Sequence, residues 1–124
     1  MAEVSYKIIQ TEKNTIVLRE FFGDVEVTDI RESFIHIFKE YVEQEIVGII
    51  TDFTQANMLI NISEFPKVLE FIRQNNKLFQ LKLAVIVNTP EKTILPMLAH
   101  ARLKDLHVKP FATMQASINW MNED

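Results

Sequence analysis

The chain has 124 residues, 48% of them hydrophobic, and its 13 basic against 17 acidic side chains give a net charge of −4. That length suits one core, so residues 1–124 are expected to form a single domain. An acidic balance with no basic block excludes a nucleic-acid footprint, and the absence of cysteine excludes disulfides, thiolate catalysis and sulfur metal ligands together.

Tyr6 to Gln10 and Thr15 to Phe22 are rich in β-branched and aromatic residues, and the polar Thr11-Glu12-Lys13-Asn14 between them predicts a hairpin. The second strand places Ile16, Leu18 and Glu20 on one face and Val17, Arg19 and Phe21 on the other; Gly23-Asp24 is expected to end it. Thr28 is the expected cap of a first helix, with Asp29 and Glu32 in its first turn, where the helix dipole favours acids. Ile30, Phe34, Ile37, Phe38, Tyr41 and Val42 then follow helical spacing, with Arg31, Glu32, Lys39, Glu40 and Glu43 on the opposite face.

The next segment carries the clearest signal. The apolar run from Ile46 to Ile50 stops at Thr51-Asp52, and a second run from Leu81 to Val87 stops at Asn88-Thr89-Pro90. Both are short and β-branched, and each precedes a helical pattern, which is how parallel strands buried on both faces read. Thr54 to Ile62 is expected to be a linker. A helix follows from about Ser63 to Asn76, with Phe65, Val68, Leu69 and Ile72 facing inward; Pro66 fits only its first turn, which makes Ser63 the expected cap. Thr89-Pro90-Glu91 opens another helix, and Pro96 requires that it begin later than Glu91 or kink. Val108-Lys109-Pro110-Phe111 is a short last strand, placed near a sheet edge by its proline. Thr113 caps a final helix carrying Met114, Ile118, Trp120 and Met121. The order is β-β-α-β-α-β-α-β-α, an α/β fold with a mixed sheet of about five strands and about four helices.

Chemistry-bearing residues are few. His36, His100 and His107 show no ligand spacing, and His36 is expected to point away from the core, so no metal site is expected. No Gly-rich phosphate loop follows a strand, and no nucleophile elbow is present. No cofactor and no catalytic residue is therefore assigned. The N-terminus lacks the basic start and apolar core of a signal peptide, and no apolar run approaches the ~20 residues of a membrane span. The expected location is the cytoplasm. The candidate binding surface is the carboxyl end of the central strand: Asp52, Thr54, Met58, Leu59, Ile60 and Ser63. Asp52 either closes an Asx turn on its own loop or pairs with Thr54, Asn88 or Thr89. Met58 to Ile62 carries more apolar surface than a loop usually does, and reads either as a lid on the sheet or as a contact patch.

Several landmarks resemble the SpoIIAA-like, or STAS-like, superfamily, in particular its small stand-alone bacterial members of unknown function. They are Phe22-Gly23-Asp24 before the first helix, Ile49-Ile50-Thr51-Asp52-Phe53-Thr54, Ala84-Val85-Ile86-Val87, and the tail Val108-Lys109-Pro110-Phe111 with Ala116 and Trp120. The resemblance spans Tyr6 to Met121. It implies a SpoIIAA-like fold and, from its best-known members, regulation of a partner by serine phosphorylation within an Asp-Ser-Ser/Thr-Gly segment. The corresponding region here is Ile60-Asn61-Ile62-Ser63-Glu64-Phe65, which lacks that segment; Ser63 is the nearest serine and the candidate phosphorylation position. The resemblance implies a non-enzymatic regulatory or protein-interaction module that binds a protein partner or itself. The alternatives are a carrier or sensor of a small apolar or lipid-like ligand, in the manner of Sec14-like folds, and an enzyme without a recognisable catalytic motif.

Overall fold

A computed structural model describes residues 2–41 and 43–123. Its five strands are β1 (Glu3–Gln10), β2 (Thr15–Val25), β3 (Ile46–Met58), β4 (Lys82–Ile86) and β5 (His107–Phe111). They lie side by side in that order in one sheet. β1 and β2 are antiparallel, and the three remaining pairings are parallel. The helices are α1 (Val27–Glu40), α2 (Phe65–Arg73), α3 (Ile94–Arg102) and α4 (Met114–Met121). The element order, the antiparallel β1–β2 hairpin, the parallel alignment of β3 and β4 and the edge position of the Pro110 strand are those the sequence predicts.

Two apolar layers hold the sheet. On one face, Val17, Phe21, Ile49, Phe53, Leu83 and Val85 meet Ile30, Phe34 and Ile37 of α1, Val68, Leu69 and Ile72 of α2, and Ala99 of α3. On the other, Ile16, Leu18, Ile50, Ala84 and Ile86 meet Met121, Met114, Ile118 and Trp120 of α4. The period-2 alternation of β2 thus sends odd positions under three helices and even positions under one. α4 is tied in at both ends. Thr113 Oγ1 accepts the Ala116 amide (3.1 Å), as its cap position predicts. At the other end, Lys82 Nζ donates to the carbonyls of Trp120 (2.8 Å), which also accepts the Glu123 amide, and of Glu123 (2.6 Å), just past the helix. The β1–β2 turn is fixed to the same helix end, because Thr11 Oγ1 and Asn14 Nδ2 both donate to Asn122 Oδ1 at 3.0 Å.

Several boundaries differ from the sequence expectations. β2 does not end at Gly23; it continues to Val25, with Gly23 at φ 84°, a conformation that glycine adopts without steric cost. β3 does not end at Asp52. It runs to Met58, so half of the expected linker is strand, paired with the extension of β2 from Phe22↔Gln55 to Val25↔Met58. The cap of α1 is Glu26, two residues before Thr28, and Asp29 Oδ2 accepts the Glu26 amide at 2.7 Å. Ser63 caps nothing. It lies inside a 3-10 turn, Ile62–Glu64, whose cap position is Asn61, and Glu64 Oε1 accepts the Asn61 amide at 3.1 Å. Pro66 does sit in the first turn of α2, and α3 begins later than Glu91, after a 3-10 turn over Pro90–Thr93. α1 ends before Tyr41, and Val42 lies outside the described residues.

Candidate functional site

The six sequence-predicted residues fall into two groups rather than one. Asp52 is half-buried in the middle of β3, at the level where β4 ends. The register with β2 slips here: Glu20 faces Asp52 and Phe22 faces Gln55, so two β3 residues oppose one on β2. Such a bulge leaves an amide without a ladder partner. Asp52 Oδ1 supplies one, accepting the Thr54 N–H at 2.8 Å. Asn88 Nδ2 donates to the Thr54 carbonyl at 3.2 Å. Asp52, Thr54 and Asn88 therefore meet just past the carboxyl end of β4 but in the middle of β3, and through the Thr54 backbone. Thr89 forms no side-chain bond to them among the described residues.

Met58, Leu59, Ile60 and Ser63 lie farther along, with Met58 roughly 20 Å beyond Asp52 at about 3.3 Å per strand residue. Strand alternation carries past the end of β3. Met58 and Ile60 are half-buried against the core, and Leu59, whose amide donates to the Val25 carbonyl at 2.9 Å, points outward. Leu59 is 46% exposed and Ile62 69%. The segment is thus half lid and half patch. Ser63 is exposed beside Ile62. A groove of about 790 Å³ opens next to this turn, between the start of α1 and α2, lined in part by Glu26, Val27, Glu64, Pro66, Lys67 and Phe71.

A third feature was not assigned from sequence. Arg19, in the middle of β2, is only 3% exposed. The register places Tyr6, Arg19, Thr51 and Val85 in one row across the sheet, on the α1 side. Arg19 Nε donates to Thr51 Oγ1 at 2.7 Å, and Nη1 donates to Ser33 Oγ of α1 at 3.2 Å. The Tyr6 hydroxyl donates to the same Ser33 oxygen at 3.1 Å. The guanidinium carbon lies 3.9 Å from the Phe34 ring centroid and 5.3 Å from that of Phe21. No carboxylate pairs with Arg19 among the described residues. Burial pushes the guanidinium down to about 9, with the Tyr6 hydroxyl opposing the shift. It remains a cation at neutral pH. The visible sequence signal is its place between Val17 and Phe21 on an inward face.

The histidines form no cluster. His36 is half-buried rather than turned fully outward, with its ring 4.2 Å from that of Tyr6, because β1 extends over that side of α1. Among the described residues no group of three potential ligands is placed to hold a metal. Among the described residues no helix is long and apolar enough to cross a membrane.

No protein-family model matches the chain, and no curated protein matches it by sequence. Solved structures do match. An uncharacterised DUF3478-family protein with a SpoIIAA-like fold from Shewanella loihica superposes with a TM-score of 0.69 at 14% identity, covering 98% of this chain and 95% of that one. The chain has a SpoIIAA-like fold. Two regulators share it. An anti-sigma factor antagonist from Mycobacterium paratuberculosis gives a TM-score of 0.60 at 7% identity, over 98% of this chain and 96% of that one. The Bacillus cell fate determinant SpoIIAA, in its phosphorylated form, gives 0.56 at 13% identity, over 95% and 100%. In this SpoIIAA-like chain the turn that carries Ile62 and Ser63 leads directly into α2, the helix after the central strand.

Proposed function

We propose that this SpoIIAA-like chain is a non-enzymatic regulatory module of the cytoplasm that works by protein contact, through the turn that follows β3. The observation that carries the reading is the exposure of Leu59 and Ile62, at 46% and 69%, beside an exposed Ser63 at the entrance to α2. Two large apolar side chains held out on an ordered turn offer contact area that desolvates at little conformational cost. The adjoining groove adds mixed charge from Glu64, Lys67 and Arg31 for orientation. A phosphate on Ser63 would sit next to Glu64 and Leu59–Ile62, setting two negative charges against any apolar partner surface there. The anti-sigma factor antagonists among the structural neighbours support a regulatory reading, and the phosphorylated SpoIIAA structure supports Ser63 as the residue to examine.

Site-specific photocrosslinking tests this. A photoreactive residue is placed at Leu59 or Ile62, and at the comparably exposed Met97 of α3 as a control, in the chain's own host. A discrete adduct, either with another protein or with a second copy, is expected from the turn and absent from Met97. Phosphomimetic Ser63→Glu should reduce its yield. Equal labelling from both places, or none from the turn, rejects the surface.

A further inference from the structure

We infer that Arg19 and the cavity in front of it form an internal binding site for a small monocarboxylate with a short apolar tail. This is independent of the protein-contact reading, since it concerns the interior and not the turn after β3.

A cavity of about 50 Å³ lies between the sheet and helices α1, α2 and α3. Arg19 and Thr51 are the polar residues of its wall; the rest is apolar, including Phe34, Phe53, Ile72, Ala99 and Leu106. A guanidinium has five N–H donors. Two of Arg19's are used, by Thr51 and Ser33. The other three show no acceptor among the described residues; no fully enclosed side-chain nitrogen there lacks a partner, so the unbonded Nη2 is open to a water-sized probe. The cation has no acid partner there. The Phe34 and Phe21 ring faces offset part of the cost of burying this cation, but a buried charge without a counter-charge remains costly. An anion in the cavity would lower it.

The geometry selects the class of anion. A guanidinium presents a planar fork that matches the two oxygens of a carboxylate. A phosphate or sulfate would turn its further oxygens toward Phe53, Ile72 and Leu106, which offer no donor. The volume corresponds to roughly three to five water-sized positions. Formate, acetate and propionate fit that space; a fatty acid does not. The apolar wall opposite Arg19 would receive the one or two carbons of the tail.

The test uses the whole chain at neutral pH and constant ionic strength. Sodium formate, acetate, propionate and hexanoate are compared with sodium chloride, sodium phosphate and acetamide. Two signals are followed: the melting temperature, which rises with any ligand that binds only the folded state, and the 15N resonance of Arg19 Nε. Acetate or propionate is expected to raise the melting temperature and shift the Nε resonance, while chloride, phosphate and acetamide do neither. Arg19→Met should weaken that binding about tenfold or more, the range a charge-assisted hydrogen bond represents. Ala99→Val keeps the cation and narrows the cavity, so it should abolish the response of the melting temperature even if Arg19→Met does not fold. No shift of Nε with any carboxylate overturns the inference. An equal shift with chloride reduces the site to a nonselective anion pocket and also overturns it, as does an undiminished response in Ala99→Val.

Discussion

Asp52 bonds to the chain two residues beyond itself: its Oδ1 accepts the Thr54 amide at 2.8 Å, at the point where β3 gains a residue on β2. The carboxylate is therefore a structural substitute for a missing ladder partner, and the extension of β3 toward the candidate contact surface depends on it. Beyond this level β4 has ended, so β2 alone pairs with β3 along its remaining length.

Removing that acceptor should loosen the bulge. Asp52→Ala is expected to cost about 1–2 kcal/mol, the net value of a hydrogen bond to a charged group at a half-exposed position. Asp52→Asn keeps an acceptor oxygen and should lose less. Urea unfolding at matched m-value reads both. Indistinguishable midpoints for wild type and Asp52→Ala would remove the bulge from the account of β3.

Ile50 is fully buried between β2 and β4, facing α4. Ile50→Ala should destabilise the fold by roughly 2–5 kcal/mol, combining lost transfer energy with the cavity left under Met121. A loss of less than about 0.5 kcal/mol, the usual size for a surface substitution, would contradict a two-sided core.

The sequence made the strand order legible because hydrophobic pattern and turn residues vary together along the chain. It did not reveal where strands end. Gly23 reads as a breaker, yet a paired neighbour lets β2 pass through it, and that neighbour is 33 residues away at Ala56. The bulge at Asp52 is likewise a register event between two strands and leaves no mark in either alone. The caps moved for a local reason. At Asp29 and Glu64 an acid reaches back three residues to the Glu26 and Asn61 amides, displacing Thr28 and Ser63 from that role. Ile62 stood out as apolar surface, because a loop has no core to face. Arg19 could be placed on an inward face, but its partners Ser33 and Thr51 come from other elements, and its lack of an acid is visible only in three dimensions.

Arg19 gives a pH prediction of definite sign. Burial holds the folded guanidinium at about 9, well below its ordinary value. Between those limits the unfolded chain binds more protons than the folded one, so stability rises with pH there; below about 9 both states are protonated and the full burial penalty is present. The unfolding free energy of wild type relative to Arg19→Met should therefore increase from about pH 8 to about pH 11. Urea titrations of both proteins across that range check it, and a flat or falling difference would show that the buried cation is not penalised.

Gly48 offers the sharpest steric test of the α4 side of the sheet. It is buried on β3, opposite Ile16 of β2 and Lys82 of β4. A Cβ built there collides with the Lys82 carbonyl oxygen and with the sulfur and terminal methyl of Met121. Its φ is not in the left-handed region, so the requirement for glycine is one of space and not of conformation. The two obstacles differ in kind. The Met121 side chain can move or be shortened; the carbonyl belongs to the β4 backbone and can recede only if the strand shifts. Gly48→Ala should thus cost about 1–3 kcal/mol, the range of core overpacking. Shortening the flexible obstacle in the double variant Gly48→Ala, Met121→Ala should not restore stability, because the backbone contact persists and a cavity is added. Thermal and urea unfolding of the two single variants and the double variant form the cycle. Full rescue by Met121→Ala would place the whole conflict in the side chain, and β4 would then have slack that its close pairing with β3 does not show.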